Sequence, residues 1–232
     1  MNATLAHRHF HDELSELKAK LLTMSGEAQD ALGRALDGLL KRDRTLAEQV
    51  ITGDRAIDAL ELEIEETVID LLATQQPMAR DLRLLVAATK IANDLERVGD
   101  HAVNIAQSTQ RLVEMKSDIT PDPEIEDMAR RARLMLGDSL DAFVRADGVL
   151  GRDVCRRDDQ VDALHDSLFR ILLTHMLEDP TTISAALELF LVSRNLERVA
   201  DLATNIAEDA VYLAEGKTIK HRLESRPVVA TA

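Results

Sequence analysis

Asn93-Asp94-Leu95-Glu96-Arg97-Val98-Gly99-Asp100-His101-Ala102-Val103-Asn104-Ile105-Ala106 returns 101 positions later in the chain. There it reads Arg194-Asn195-Leu196-Glu197-Arg198-Val199-Ala200-Asp201-Leu202-Ala203-Thr204-Asn205-Ile206-Ala207. Each copy sits inside a longer apolar register. Leu84, Ala88, Ile91, Leu95, Val98, Ala102, Ile105 and Leu112 recur at spacings of four and three, with Thr109 filling the one gap. Ala185, Leu189, Val192, Leu196, Val199, Ala203, Ile206, Ala210 and Leu213 do the same. That is the seam of a helix packed lengthwise in a bundle.

A second correspondence, at an offset of 104, places Asp54, Ile57, Asp58, Ala59 and Leu60 on Asp158, Val161, Asp162, Ala163 and Leu164. It also takes Asp37 to Asp141 and Asp43 to Asp147. The chain is therefore expected to be a duplicated three-helix unit, and its breakers agree. Pro77 and Pro180 each separate two helical patterns, Pro121 and Pro123 mark a linker, and Pro227 lies in the tail. Proline removes a backbone donor and disfavours helix at the residue before it. Six long antiparallel helices are predicted, over 4–41, 44–75, 78–116, 123–146, 149–178 and 181–216. The expected fold class is all-α: a first three-helix bundle over 1–116, a linker over 117–122, a second bundle over 123–216, and a flexible tail over 217–232 after a helix stop at Gly216.

Composition points the same way. Of 232 residues only 2% are aromatic, whereas 35 are Leu and 30 Ala. Strands draw on aromatic and β-branched residues, so a β-sandwich or barrel is excluded. A net charge of −14 argues against nucleic acid as a ligand and suggests a cationic partner or bound metal. One cysteine, Cys155, cannot form an internal disulfide. No apolar run reaches membrane-spanning length and the N-terminus has no signal-peptide pattern. A cytoplasmic protein is expected, reaching the inner face of the membrane only through partners.

The repeated residues carry paired acids. Asp54/Asp58 and Glu96/Asp100 recur as Asp158/Asp162 and Glu197/Asp201. Residues four apart share a helix face, where like charges destabilise the helix by about 0.2–0.5 kcal/mol per pair. Acid pairs on solvated faces are common, and Arg97 and Arg198 could be simple counter-charges. Repetition in both units is harder to explain that way. With Leu84 at d, Glu96 and Asp100 fall at b and f, so the acids belong on the flank or outside of each bundle. Four carboxylates on two neighbouring helices suit hard or borderline cations: magnesium, manganese, calcium or iron, with zinc also possible.

Other candidates are weaker. His7 and His11 stand four apart around His9, but near a chain end. Asp162-Ala163-Leu164-His165 has the acid-x-x-His spacing of di-iron bundles, which use the motif twice and inward; here Glu61 replaces the first imidazole. Gln75-Gln76-Pro77-Met78-Ala79-Arg80-Asp81-Leu82-Arg83 restarts a helix and offers two arginines to an anion or partner. Arg156 and Arg157 could lower the Cys155 pKa, although without a partnered histidine a structural role is the better reading. There is no glycine-rich phosphate loop, nucleophile elbow or catalytic triad pattern, so no catalytic residues are assigned.

Over residues 5–216 the chain resembles the PhoU family of bacterial phosphate-signalling accessory proteins. The resemblance rests on Gln75-Gln76-Pro77, Asp81-Leu82-Arg83 and the two acid motifs. The second unit departs from the pattern, with Glu178-Asp179-Pro180-Thr181 and no Asp-Leu-Arg. The resemblance implies two antiparallel three-helix bundles and metal bound by the acid motifs, as iron, zinc, manganese or magnesium. It also implies a negative regulator of the phosphate-starvation response and of phosphate uptake. Such a protein would link a PstB-type ATPase of a phosphate ABC transporter to a PhoR-type sensor histidine kinase. A homodimer is expected. The alternatives are a carboxylate-bridged metal enzyme, which needs inward-facing ligands, and a metal-free helical scaffold.

Overall fold

In the computed structural model the backbone is described for residues 2–115 and 123–219, and side chains from Phe10 onward. The expected linker, most of the tail, and the side chains of His7 and His9 lie outside the described residues. The described chain is helical: α1 (Asn2–Lys41), α2 (Arg44–Gly53), α3 (Arg55–Gln75), α4 (Ala79–Met115), α5 (Pro123–Arg145), α6 (Gly148–Glu178), a single 3-10 turn (Pro180–Thr182), and α7 (Ile183–Glu215).

The single helix expected over 44–75 is corrected to two. It is interrupted at Asp54, which follows Gly53, the poorest helix former after proline. Asp54 keeps helical angles (φ −56°, ψ −36°), so α2 and α3 continue in nearly one direction, and counting them together restores six helices. The last helix begins at Ile183 rather than residue 181, because Pro180 and the Asp179 cap hold the preceding turn as 3-10.

Several repeated residues prove to be local devices of the fold. Asp43 caps α2 by accepting from the N–H groups of Thr45 and Leu46, at 2.8 and 3.2 Å. Its counterpart Asp147 caps α6 through Val149 and Leu150, at 2.9 and 3.0 Å. Before each cap stands a left-handed residue, Arg42 (φ 52°) and Ala146 (φ 50°). Asp37 pairs with Lys41 and Asp141 with Arg145, one turn on.

Every seam position named above in α4 and α7 is buried. Both helices also bury a second set of residues, mostly small: Ala87, Ala92, Gly99, Ala106 and Ser108 in α4, and Ala186, Ser193, Ala200 and Ala207 in α7. The reason is their position. In the first unit α4 packs on α1, α2 and α3; in the second α7 packs on α5 and α6; and α4 and α7 pack on each other. Three cross-contacts fix their relative direction. Lys90 meets Asp209 at 3.0 Å, His101 meets Asn195 at 2.9 Å, and Arg111 meets Glu188 at 2.7 Å. As one number rises the other falls, so the two repeated helices run antiparallel. The buried apolar residues of both units join in one continuous core.

The Gln75–Arg83 segment turns the chain from α3 into α4, with Gln76 and Ala79 both at positive φ. Arg83 lies against Gly216, the left-handed residue that ends α7, where a cation complements the carboxyl end of a helix dipole. No described helix is long and apolar enough to cross a membrane.

Candidate functional site

The first acid cluster is built on the interruption between α2 and α3. The Asp54 carbonyl accepts from the N–H groups of Ile57 and Asp58, at 2.8 and 3.2 Å, so its side chain stands at the start of α3. Asp58 follows one turn later. Facing them on α4 are Glu96 and Asp100, also one turn apart. Gly99 lies between these helices: a Cβ there would come within 2.8 Å of Asp54 Oδ1 and 3.0 Å of Ile57 Cδ1. The missing side chain lets Asp54 approach α4.

The four carboxylates feel one another. Burial raises the pKa of Asp54 above its ordinary value, and the charges of Asp58 and Asp100 raise it further. Glu96 is raised by burial and then by Asp100, Glu61, Asp58 and Asp54. Arg97 does not relieve this charge, because it lies 3.9 Å from Asp94 instead.

The second cluster repeats the arrangement on α6 and α7. Asp158 and Asp162 face Glu197 and Asp201, but here α6 is uninterrupted and Ala200 replaces Gly99. Burial, then Asp162, Asp201, Asp159 and Glu197, push the Asp158 carboxyl up to about 7. Its Oδ1 is buried with no hydrogen-bond partner. Asp162 and Glu197 are likewise raised, by burial first. Arg198 supplies partial relief, at 3.0 Å from Asp201 and 3.5 Å from Glu197.

All eight acids are half-buried or exposed, on the flanks where the heptad register places them. Two neighbours already noted in the sequence join the clusters. Glu61 adds its charge to the first cluster, and His165, 104 positions later, stands beside Asp162 and Glu197. His165 stacks on Phe190 and shares a 3.0 Å hydrogen bond with Ser193. Their common position one turn after Asp58 and Asp162 was legible in the sequence; their nearness to the acids of the facing helix was not.

The donor set fits a hard or borderline cation. It is almost all oxygen, it carries excess negative charge, and in the second unit it includes a buried carboxylate oxygen without a partner. Among the described residues, however, no group of three or more Asp, Glu, His or Cys side chains is gathered closely enough to hold a metal ion.

Cys155 is not an activated thiol. Burial first, then Glu208 and Asp158, push its pKa up to about 11. Arg156 turns to Asp153, and Arg157 to Asp138 and Asp153. The structural role is the one its surroundings support.

A family model of the PhoU domain matches residues 21–109 and again 125–210, one match for each unit. The chain belongs to the PhoU family. Its relatives include phosphate-specific transport system accessory protein PhoU homologs. The one from Clostridium acetobutylicum is 39% identical over 217 residues, spanning 93% of this chain and 98% of the relative. The one from Aquifex aeolicus is 42% identical over 210 residues, spanning 90% and 95%. The crystal structure of PhoU from Pseudomonas aeruginosa matches with a TM-score of 0.87 at 36% identity, over 90% of this chain and 100% of that one. The phosphate transport system regulatory protein PhoU from Streptococcus pneumoniae gives 0.83 at 30% identity, over 90% and 98%. This PhoU-family chain is thus a regulator of phosphate homeostasis and not an enzyme, which removes the carboxylate-bridged metal enzyme from consideration.

Proposed function

We propose that this PhoU-family chain is a metal-binding adaptor that restrains the phosphate-starvation response and phosphate uptake. It would do so between the ATPase of a phosphate ABC transporter and a sensor histidine kinase. The observation that carries the metal part is Asp158: its Oδ1 is buried without a partner amid Asp162, Glu197 and Asp201. Bound metal supplies positive charge that offsets the repulsion among these carboxylates. Asp54, Asp58, Glu96 and Asp100 would hold it in the first unit, and Asp158, Asp162, Glu197 and Asp201 in the second. Metal at these places ties α3 to α4 and α6 to α7. Such ties would stiffen the outer surfaces that a kinase or transporter subunit meets.

The adaptor reading is supported by the relatives' names, which attach them to the phosphate-specific transport system. Self-association as a homodimer belongs to the same reading and is checked by light scattering on the purified chain. In the host, deletion should leave phosphate-scavenging genes expressed when phosphate is ample, and the intact chain should restore repression. Normal repression in the deletion strain would overturn the adaptor role. A metal-free scaffold is favoured by one observation, the pairing of Arg198 with Asp201 and Glu197. Under that second reading, a chain neutralised at Glu96, Asp100, Glu197 and Asp201 restores repression as well as the original.

A further inference from the structure

The sequence carries a net charge of −14, yet one groove along its centre is cationic. It lies where α4 and α7 run antiparallel, and it is lined by Arg97, His101, Asn104, Ser108 and Arg111 from α4 and by Leu191, Arg194, Asn195 and Arg198 from α7. No carboxylate is among the lining residues. Arg97 and Arg198 are equivalent under the 101-residue repeat, so the duplication brings two copies of one side chain to one groove. Arg111 and Arg194 add one further guanidinium from each helix. The groove encloses about 440 Å³, within the range of small-molecule sites.

Four guanidinium groups along one groove repel each other unless anions answer them. The chain provides such anions only from the flanks. Asp94 stands 3.9 Å from Arg97, Glu188 holds Arg111 at 2.7 Å, and Asp201 holds Arg198 at 3.0 Å. Arg194 has no ion pair or hydrogen bond among the described residues. Two polar residues of the lining hold each other. The Asn195 side-chain amide donates to the Leu191 carbonyl at 2.8 Å, so its oxygen faces His101 Nδ1 at 2.9 Å and accepts that proton. This pair is therefore set before anything binds, which lowers the ordering cost of that part of the groove.

We infer that this groove is an anion site for phosphate or a short condensed phosphate, bound by the guanidinium groups of Arg97, Arg111, Arg194 and Arg198. Planar guanidinium forks match the oxygens of phosphate two at a time. The lining contains no Phe, Tyr or Trp and only one large apolar side chain, and its one aromatic ring, His101, is half-buried and held by Asn195, so the ligand is the oxyanion itself. The site shares Arg198 with the second acid cluster, where Asp201 and Glu197 pair with it, but it does not rest on metal binding there.

The test is titration calorimetry on full-length protein stripped of metal on a chelating resin, with orthophosphate and tripolyphosphate as separate probes. Either should bind saturably, and the affinity should fall as salt rises. Arg194→Gln should weaken binding about threefold to tenfold, and Arg194→Glu more than tenfold, as expected for losing and then reversing one charge-assisted contact. Arg145→Gln, which removes the same charge from α5, should change it less than twofold. Arg194 has no structural partner, so its variants should unfold at the temperature of the original chain. Three results would overturn the inference: no saturable binding of either probe, equal binding by the Arg194 variants, or a groove that takes an oligoglutamate peptide and neither phosphate.

Discussion

Asp54 Oδ1 occupies space that a β-carbon on Gly99 would need, 2.8 Å from where that carbon would sit. This contact joins the interruption after α2 to the acid motif on α4, and the second unit lacks it because Ala200 faces an unbroken α6. Gly99→Ala sets two effects against each other. Alanine improves an interior helix position by about 1 kcal/mol, while its methyl group pushes on Asp54 Oδ1 and Ile57 Cδ1. Both of those atoms are the ends of movable side chains. Thermal unfolding of Gly99→Ala should therefore stay within about 2–4 °C of the original, the response of a chain this size to roughly 1 kcal/mol. A fall beyond about 8 °C would show that the junction cannot yield.

Asp158 makes stability depend on pH in the metal-free protein. Its carboxyl faces Asp159 and Asp162 on its own helix and Glu197 and Asp201 on α7. Its pKa lies at about 7 when folded, against 3.8 as the ordinary value. The folded state thus holds this proton more tightly. The resulting stabilisation is complete below about 3.8 and is lost as pH rises through about 7. Solvent screens part of the repulsion at this incompletely buried site. Asp158→Asn should raise Tm at pH 8 by about 2–4 °C and leave it nearly unchanged at pH 4. An equal effect at both pH values would mean that charge is not the cause.

Lys90 and Asp209 hold the two units together across the α4–α7 pairing. The Asp209 side chain is only 6% exposed, whereas Lys90 is 48% exposed. Removing the lysine leaves the carboxylate in its buried place without this partner. Lys90→Ala should cost about 1–3 kcal/mol, seen as several degrees in Tm. Removing Asp209 as well should recover part of that loss. Strict additivity of the two substitutions would deny the coupling.

Cys155 should be slow to react. With its thiol buried and its pKa near 11, little thiolate exists at pH 8. A thiol reagent should label the native protein far more slowly than the unfolded chain. Equal rates would place the sulfur at the surface.

Much of this was legible in the residues, and the failures have physical causes. The α4 and α7 seams could be read because Leu, Ile and Val recur at bundle spacing. The contact of α4 with α7 could not, because the polar pairs that mark it, Lys90 with Asp209, His101 with Asn195 and Arg111 with Glu188, lie far apart in the chain and follow no apolar period. The interruption at Asp54 was announced only by Gly53, which many helices tolerate. Repetition located the eight acids, but it also preserved Asp37/Asp141 and Asp43/Asp147, which serve as ion pairs and helix caps. What distinguishes the former is mutual crowding, a property of two helices together. The cationic groove has the same origin, since its arginines meet only when α4 and α7 lie side by side.

Metal binding by the acid clusters is tested most directly by equilibrium dialysis of resin-stripped protein against iron, zinc, manganese and magnesium, with elemental analysis of the protein chamber. The original chain should retain at least one of these metals in proportion to its two clusters. A chain carrying Glu96→Gln, Asp100→Asn, Glu197→Gln and Asp201→Asn should retain none while keeping its helical content. Retention of no metal by the original chain, or equal retention by both, would contradict the assignment of these eight carboxylates as ligands.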